Sequence, residues 1–392
     1  MRKRRTLKYY IRQLHLWLGL ASGLVVFIVS ITGCLFVFQQ EISRALHPEW
    51  YVVPSRTVPP PSAPLQLSRL RQSAQAAFGP DHPINYMIAY AGQDRSWEFS
   101  SYQGNDSAFT SLGSIVYYQS VYVDPYTGAV VGKRDNKHDF FMIVKSIHWS
   151  LLLNTPYGQP IVGWSTLIFV IGLITGLVLW WPKKWTSITR ARSFKIKWKA
   201  SFRRVNYDLH NVPGFYSLLP ALIIGLTGLV FAFRWFTAFI YLITTGSASP
   251  APEPDIKSKV ADSAFIRQTT VADALDKAFV LSQQELPGCR RIAVAPAQGK
   301  EGVISARGYK DAETFYGYDV LQFDQYSGRL LSHSKDSQKT AGQRLLDMNY
   351  DIHVGAIGGL TGKIIAFIAS LICASLPVTG FLVWRLKRKK TV

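Results

Sequence analysis

The sequence HLWLGLASGLVVFIVSITG, residues 15–33, decides the fold of this chain. It begins with H-x-x-x-G at His15, ends in T-G and contains no charged residue. Residues 210–228, HNVPGFYSLLPALIIGLTG, begin with the same motif at His210 and reach T-G at the same spacing. Identical spacing at two distant places indicates that the chain is built from two related halves.

Two further histidines lead into apolar sequence. His148 follows His15 by 133 residues, and His353 follows His210 by 143 residues. Each again precedes a Thr-Gly pair, by 27 residues for His148 and by 26 for His353. The four histidines therefore recur with four Thr-Gly pairs, which are Thr32-Gly33, Thr175-Gly176, Thr227-Gly228 and Thr379-Gly380.

Four apolar blocks of the 392-residue chain contain no Asp, Glu, Lys or Arg. At about 1.5 Å per residue, each reaches about the 30 Å thickness of a bilayer core, so each can span as one helix. Tryptophans cluster near their ends, where indole rings favour the membrane interface. The sequence therefore predicts an integral membrane protein whose spans are residues 16–38, 161–181, 212–233 and 364–384.

The excess of basic residues is a topology signal. The chain has 44 Lys and Arg against 24 Asp and Glu, but residues 1–12, 182–209 and 385–392 hold 20 of the bases and a single acid, Asp208. The rest of the chain is close to neutral, which argues against nucleic-acid binding. By the positive-inside rule, both termini and the 182–209 loop are expected in the cytoplasm, with the first apolar block retained as an uncleaved helix.

The two long connections, predicted to lie outside, resemble each other. Each has a Pro-rich linker, an amphipathic helix, short strands and a closing hairpin around Asp-x-x-[Thr/Ser]-Gly, offset by 200 residues. Asp124 and Asp324 are expected to accept hydrogen bonds from turn amides, which is a structural role. In the first connection these elements are residues 54–64, 65–78, 84–90, 96–102 and 121–131; in the second they are 247–254, 271–285, 292–295, 303–306 and 321–331.

The three cysteines, Cys34, Cys289 and Cys373, form no C-x-x-C pair. This excludes an iron–sulfur ligand set and covalent haem attachment by sequence motif. Cys34 and Cys373 lie in apolar blocks and are expected to act as small packing residues.

Two helix-plus-hairpin modules, interleaved with four membrane helices that carry His15, His148, His210 and His353, resemble the PepSY-associated transmembrane family over essentially the whole chain. The resemblance implies an α+β membrane protein, with a four-transmembrane-helix bundle built as a two-fold internal repeat and two periplasmic α+β PepSY-like domains. It also implies haem b held by bundle histidines. Members of the family resemble bacterial inner-membrane reductases, including ones that reduce ferric iron in siderophores.

The expected division of the chain follows from these boundaries. It comprises a cytoplasmic N-terminus (1–12), helix 1 (13–40), a first PepSY-like domain (41–145), a pre-helix and helix 2 (146–182), a basic cytoplasmic loop (183–209), helix 3 (210–240), a second PepSY-like domain (241–350), helix 4 (351–385) and a cytoplasmic C-terminus (386–392).

The histidines support the cofactor interpretation independently. This topology puts His15 and His210 at the cytoplasmic level and His148 and His353 at the outer level, so each pair can supply both axial ligands of one haem iron. Two bis-histidine haems b are therefore expected. Gly19 lies one turn after its histidine, as does Gly214, and either makes room for a porphyrin or allows close helix packing. The other histidines lack repeat partners; they are His47, His82, His138 and His333.

The function expected from this set is reduction of a periplasmic oxidised substrate, such as ferric iron in a siderophore. The electron donor would be a separate cytoplasmic flavoprotein or a membrane quinol, because the chain has neither a G-x-G-x-x-G motif after a strand nor a Walker loop. No catalytic acid, base or nucleophile is predicted. Two alternatives remain: a non-catalytic membrane-anchored binding or regulatory protein, and an iron or siderophore permease. Against transport, the spans contain no Asp, Glu, Lys or Arg.

Overall fold

The structure is a computed structural model that describes residues 6–53, 63–250, 255–259 and 270–388. Several sequence predictions fall wholly or partly outside the described residues. They are the basic run 2–5, most of the linker 54–64, the end of the linker 247–254 and the last four residues of the chain.

Helices dominate the described chain. Three helical stretches are long and apolar enough to cross a membrane: Leu7–Val37, Thr155–Trp180 and Ala356–Lys387. The last of these comprises a short 3-10 turn and the final long helix. The α-helices are α1 (Leu7–Val37), α2 (Gln39–Leu46), α3 (Pro48–Tyr51), α4 (Leu67–Phe78), α5 (Phe140–Ser150), α6 (Thr155–Trp180), α7 (Ser187–Phe194), α8 (Phe202–Tyr216), α9 (Leu218–Ala232), α10 (Arg234–Thr245), α11 (Val271–Glu285), α12 (Ala341–Asp347), α13 (Asn349–His353) and α14 (Gly359–Arg388).

The third predicted span is not one straight helix. The block 212–233 is divided between α8 and α9, which bend by 68° at Ser217. The reason is Pro220, which has no N–H for the carbonyl of Tyr216 and whose ring clashes with that carbonyl. The two helices have 15 residues each and are long and apolar enough for a span only when taken together. The described chain therefore has three candidate spans, or four if the pair crosses as one.

The apolar helices pack side by side. Helix α1 lies against α6 and α14, while α8 packs on α14 and α9 packs on α6. Lys8 at the start of α1 donates from Nζ to the carbonyl of Trp181, 2.7 Å away, just after α6. The start of α1, the 182–209 loop and the end of α14 therefore meet at one end of the bundle, named the basic end below.

The opposite end of the bundle carries one antiparallel sheet of eight strands. The first outer segment contributes four strands and the second contributes four, and the central β1–β5 pair joins them through Met87–Val294 and Ala89–Ile292. The sequence predicts two domains here, and the structure adds that their strands share one sheet. In order, the sheet is β4 (Val130–Asp135), β3 (Ile115–Val123), β2 (Trp97–Gly104), β1 (Tyr86–Tyr90), β5 (Arg291–Ala295), β6 (Val303–Tyr309), β7 (Tyr318–Asp324) and β8 (Leu330–Ser334).

One face of the sheet is covered by α4 and α11, so both halves share a core. Strand side chains alternate between the two faces, which brings Phe99 and Phe323, both fully buried, beneath the two helices. Asp276 of α11 accepts a 2.8 Å hydrogen bond from the amide of Ser68 in the first turn of α4. The second half thus caps a helix of the first.

The predicted structural role of the two turn aspartates is confirmed. Asp124 accepts from the amide of Tyr126, and Asp324 accepts from the amides of Tyr326 and Ser327. The glycines that close the turns have φ of 75° at position 128 and 64° at position 328, the left-handed region that favours glycine.

Candidate functional site

The four repeat-related histidines form two close pairs inside the helix bundle. The ring centroids of His15 and His210 are 6.2 Å apart, with an angle of 78° between the ring planes. Those of His148 and His353 are 6.0 Å apart, with an angle of 66°. Each pair joins one histidine from each half of the chain, at two different depths of the bundle.

In the first half, each ring is held by a Thr-Gly pair on a neighbouring helix. Nδ1 of His15 lies 3.0 Å from Oγ1 of Thr175 and 3.1 Å from the carbonyl of Gly172, both on α6. Nδ1 of His148 lies 3.2 Å from Oγ1 of Thr32 and 2.8 Å from the carbonyl of Val29, both on α1. Helix α6 thus supplies the acceptors, called the clamp below, for His15 of α1. Helix α1 supplies the clamp for His148, which lies on α5, the short helix before α6.

The second half repeats this arrangement. Nδ1 of His210 lies 3.0 Å from Oγ1 of Thr379 on α14. Nδ1 of His353 lies 2.9 Å from Oγ1 of Thr227 and 3.1 Å from the carbonyl of Ile224, both on α9. Each of the four Thr-Gly pairs that recur with the histidines is thereby assigned to one of them.

These contacts fix the tautomer of the imidazoles. A carbonyl oxygen can only accept, so Nδ1 carries the proton in His15, His148 and His353. The threonine hydroxyls donate to carbonyls of their own helices, for example Thr379 to Ser375 at 2.9 Å, and therefore accept from Nδ1, including that of His210. Nε2 of each ring consequently keeps its lone pair, as a metal ligand requires.

In three of the four Thr-Gly pairs the glycine makes room for the imidazole, while at Gly228 an added Cβ would lie 3.6 Å from Cε1 of His353, an ordinary contact. A Cβ added at Gly33 would lie 3.2 Å from Cε1 of His148, and one at Gly380 would lie 3.2 Å from Cε1 of His210. At Gly176 the corresponding distance, to His15, is 3.3 Å. The Thr-Gly pair thus combines a hydrogen-bond acceptor with a space for the ring edge.

Each pair lies in the wall of a largely apolar cavity. The cavity at His15 and His210, near the basic end, has a volume of about 530 Å³. The cavity at His148 and His353, nearer the sheet, has a volume of about 330 Å³. Both volumes are within the range of roughly 300–1,000 Å³ usual for small-molecule sites.

The separation of each pair would fit two ligands of one metal. A metal bound at about 2 Å from one nitrogen of each of two opposed imidazoles places their ring centroids about 6 Å apart. The observed separations are 6.2 Å and 6.0 Å. An apolar cavity beside two such nitrogens suits a haem.

Comparison with known proteins gives the family. Residues 12–387 match the family described as the PepSY-associated TM region. This chain belongs to the PepSY-associated TM region family. A search of curated proteins finds no match.

The sequence left two interpretations of the glycines that follow the histidines in this PepSY-associated protein, room for a cofactor or close helix packing, and the structure distinguishes between them. A Cβ at Gly19 would meet nothing within 4 Å, and Gly19 lines the first cavity, so it leaves room. Gly214 also lines that cavity, but its Cβ would lie 3.3 Å from Leu376, so it allows close helix packing as well.

Two buried asparagines beside the histidines were not predicted from the sequence. Asn206 donates to the carbonyl of Thr379 at 3.1 Å, and Asn349 donates to the carbonyl of Thr227 at 3.2 Å. Each lies four residues before a histidine of the second half, on the same helix face, and steadies the helix that clamps that histidine. This shared spacing before His210 and His353 is the signal that could have found them.

The two histidines near the sheet are held on short helices that precede the long ones. His148 is on α5, and the chain turns sharply before α6 through Leu151 and Leu152, with φ of 55° and 64°. Left-handed leucines are strained by roughly 1–3 kcal/mol each. The turn brings Ser150 so close to Gly158 that a Cβ there would overlap its carbonyl.

His353 is linked to the sheet through Asp351. This carboxylate is fully buried and accepts a 2.9 Å hydrogen bond from the amide of Phe315, in the loop between β6 and β7. The loop is also tied to α2 by the ion pair of Glu313 with Arg44. The sheet is thereby attached directly to the helix that carries His353.

The remaining histidines lie away from both cavities. His47 stacks on Trp50, His138 lies 2.7 Å from a carboxylate oxygen of Asp135, and His333 lies 3.2 Å from one of Asp319. His82 contacts Tyr117. Cys34 and Cys373 are buried in the bundle with free thiols, as expected of packing residues.

Proposed function

We propose that the protein is a membrane haem reductase that passes single electrons through the bundle to an oxidised substrate on the sheet side, namely ferric iron in a siderophore. One observation carries this proposal. Two histidine pairs lie at two depths, and in every ring Nδ1 is committed to a fixed acceptor while Nε2 keeps its lone pair.

The chain's contribution to such a reaction is positioning. When bound, haem b would supply an iron that gains and loses one electron. His15 with His210, and His148 with His353, would hold the two groups, while the threonine and carbonyl acceptors orient the rings and raise their basicity. The apolar linings exclude water. Both cavities are lined by Val26 and Phe169, so only a thin wall of side chains separates them.

The proposal includes a topology. The bent pair α8–α9 serves as a third crossing, which completes a four-helix bundle made of two repeats. The basic end lies in the cytoplasm of a bacterium, and the sheet, formed by two PepSY-like units, lies in the periplasm. The charge distribution supports this orientation, because the exposed basic segments meet at one end of the bundle.

Electrons would enter at the basic end from a separate cytoplasmic flavoprotein or a membrane quinol. Trp180 lines the first cavity and stacks on Phe215, with ring centroids 3.8 Å apart. Trp185, in the basic loop, contacts Trp180 at 5.7 Å. Bases of that loop, including Arg203 and Arg204, would attract an acidic donor.

The reaction would add one electron to Fe(III) in the chelate and give Fe(II). The lower charge and greater softness of Fe(II) weaken its bonds to oxygen donors, so the chelate releases iron. The electron comes from the flavin or quinol, which is oxidised. No proton transfer from a side chain is required at the iron.

We expect vesicles that contain the protein to reduce an external ferric chelate when a membrane-impermeant reductant is trapped inside. The measurement is the absorbance of a ferrous-specific indicator outside the vesicles. Empty vesicles and a His82→Ala variant, changed far from both cavities, are the controls. Ferrous iron formed no faster than in empty vesicles would contradict the reductase and favour a binding protein or a permease.

A further inference from the structure

The position three residues before each histidine lines the same cavity as that histidine. Arg12 and Tyr207 line the first cavity, and Lys145 and Tyr350 line the second. Residues three apart share a helix face, so this follows from the helices that carry the histidines. Each cavity thus receives one cation from the first half of the chain and one phenol from the second.

The charged groups around the cavities are all basic. Arg12 and Lys387 are the charged residues lining the first cavity, and Lys145 is the charged residue lining the second. Within the described ranges, none of the three forms an ion pair with a carboxylate. Lys387 instead interacts with Arg12 and Arg203, which carry like charge.

Arg12, Lys145 and Lys387 are exposed on one side and line an apolar cavity on the other, so each can pair with an anion at the edge of its cavity. An occupant gains charge-assisted hydrogen bonds if it brings negative charge to the place where the cations are. The chemistry of the walls therefore specifies an occupant with a broad apolar body and an anionic edge. A tetrapyrrole with two carboxylate arms has this form.

We infer that these residues bind the carboxylates of the bound haems: Arg12, Tyr207 and Lys387 at the first cavity, and Lys145 and Tyr350 at the second. The inference rests on the proposed function and assigns a second set of contacts beyond the iron ligands. Hydrogen bonds from cations to carboxylates are about twice as strong as neutral ones. Burial raises the pKa of Tyr350 to about 12, so its phenol stays protonated and can donate.

The test compares haem with haem dimethyl ester, in which both carboxylates are blocked. The full-length protein, purified without haem in detergent, is titrated with each compound in a His15→Ala background that leaves only the second site. We expect the second site to bind haem at least about tenfold more tightly than the ester, because charged hydrogen bonds are lost with the ester.

The variants Lys145→Met and Tyr350→Phe are expected to weaken haem binding while leaving ester binding unchanged, so that the preference for haem shrinks. Lys145→Arg should restore the preference. The midpoint potential of the second haem should fall in Lys145→Met, because a nearby positive charge is lost. Lys137→Met, which changes a lysine outside the cavity that donates to the carbonyl of Val116, is the matched control.

An equal preference for haem in the parent and in both variants would overturn the inference while leaving haem binding intact. Equal affinity for haem and ester in the parent would overturn it without any variant. A parent that binds neither compound would instead overturn the proposed function itself.

Discussion

Replacing His15 with alanine is expected to remove one of the two haems that we propose for the chain and to leave the other in place. His15 and His210 line the first cavity with ring centroids 6.2 Å apart, while His148 and His353 lie at another depth with clamps of their own. Loss of one axial ligand should also slow electron transfer across the vesicle membrane by more than about a hundredfold, since even outer-shell partners of metal ligands contribute 10–100-fold.

The measurement is the haem content per chain of each purified variant, with far-ultraviolet circular dichroism as the check on folding. His210→Ala should match His15→Ala, and His148→Ala should match His353→Ala. The combination His15→Ala with His148→Ala should bind no haem. His333→Ala, changed in the sheet, should keep two haems. Retention of both haems in His15→Ala would show that the pairs are not the ligands.

Filling the first cavity at Gly19 is the second large effect that we expect. Gly19 lines the cavity and has nothing within 4 Å of an added Cβ, so Gly19→Phe can be accommodated by the backbone but fills the space that we propose for the cofactor. We predict that this variant folds, loses the haem between His15 and His210 and keeps the other. Haem content per chain is again the readout.

Gly19→Ala is the matched control. Alanine adds only a methyl group and is favoured over glycine inside a helix by about 1 kcal/mol, so this variant should keep both haems and melt at a slightly higher temperature. A Gly19→Phe protein that carries two haems would mean that the cavity is not the haem site.

The parts of the fold that local sequence determines were predicted well. The charge-free blocks correctly predict α1, α6 and the final span, because length and apolarity alone determine whether a helix can cross a membrane. Turn chemistry at Asp124 and Asp324 gave the hairpins, and alternation gave strands beside them. The bend at Ser217 was missed, although Pro220 is visible, because hydropathy does not register a lost backbone hydrogen bond.

Long-range partners were not available from the sequence. Alternating side chains predict that a strand exists and which face is buried, but they do not name its neighbour, so the β1–β5 pair joining the two halves was not foreseen. The same limit applies to the site. The repeat placed His15 near His210, but the role of Thr175 as the clamp of His15 depends on how α1 packs on α6.

The most direct test of the account is the dithionite-reduced minus oxidised spectrum of the purified protein, with pyridine haemochrome quantitation of the same sample. The account predicts low-spin b-type bands and about two haems per chain, because two pairs of imidazoles each offer both axial ligands. A correctly folded, colourless protein that still reduces ferric chelates in vesicles would contradict it.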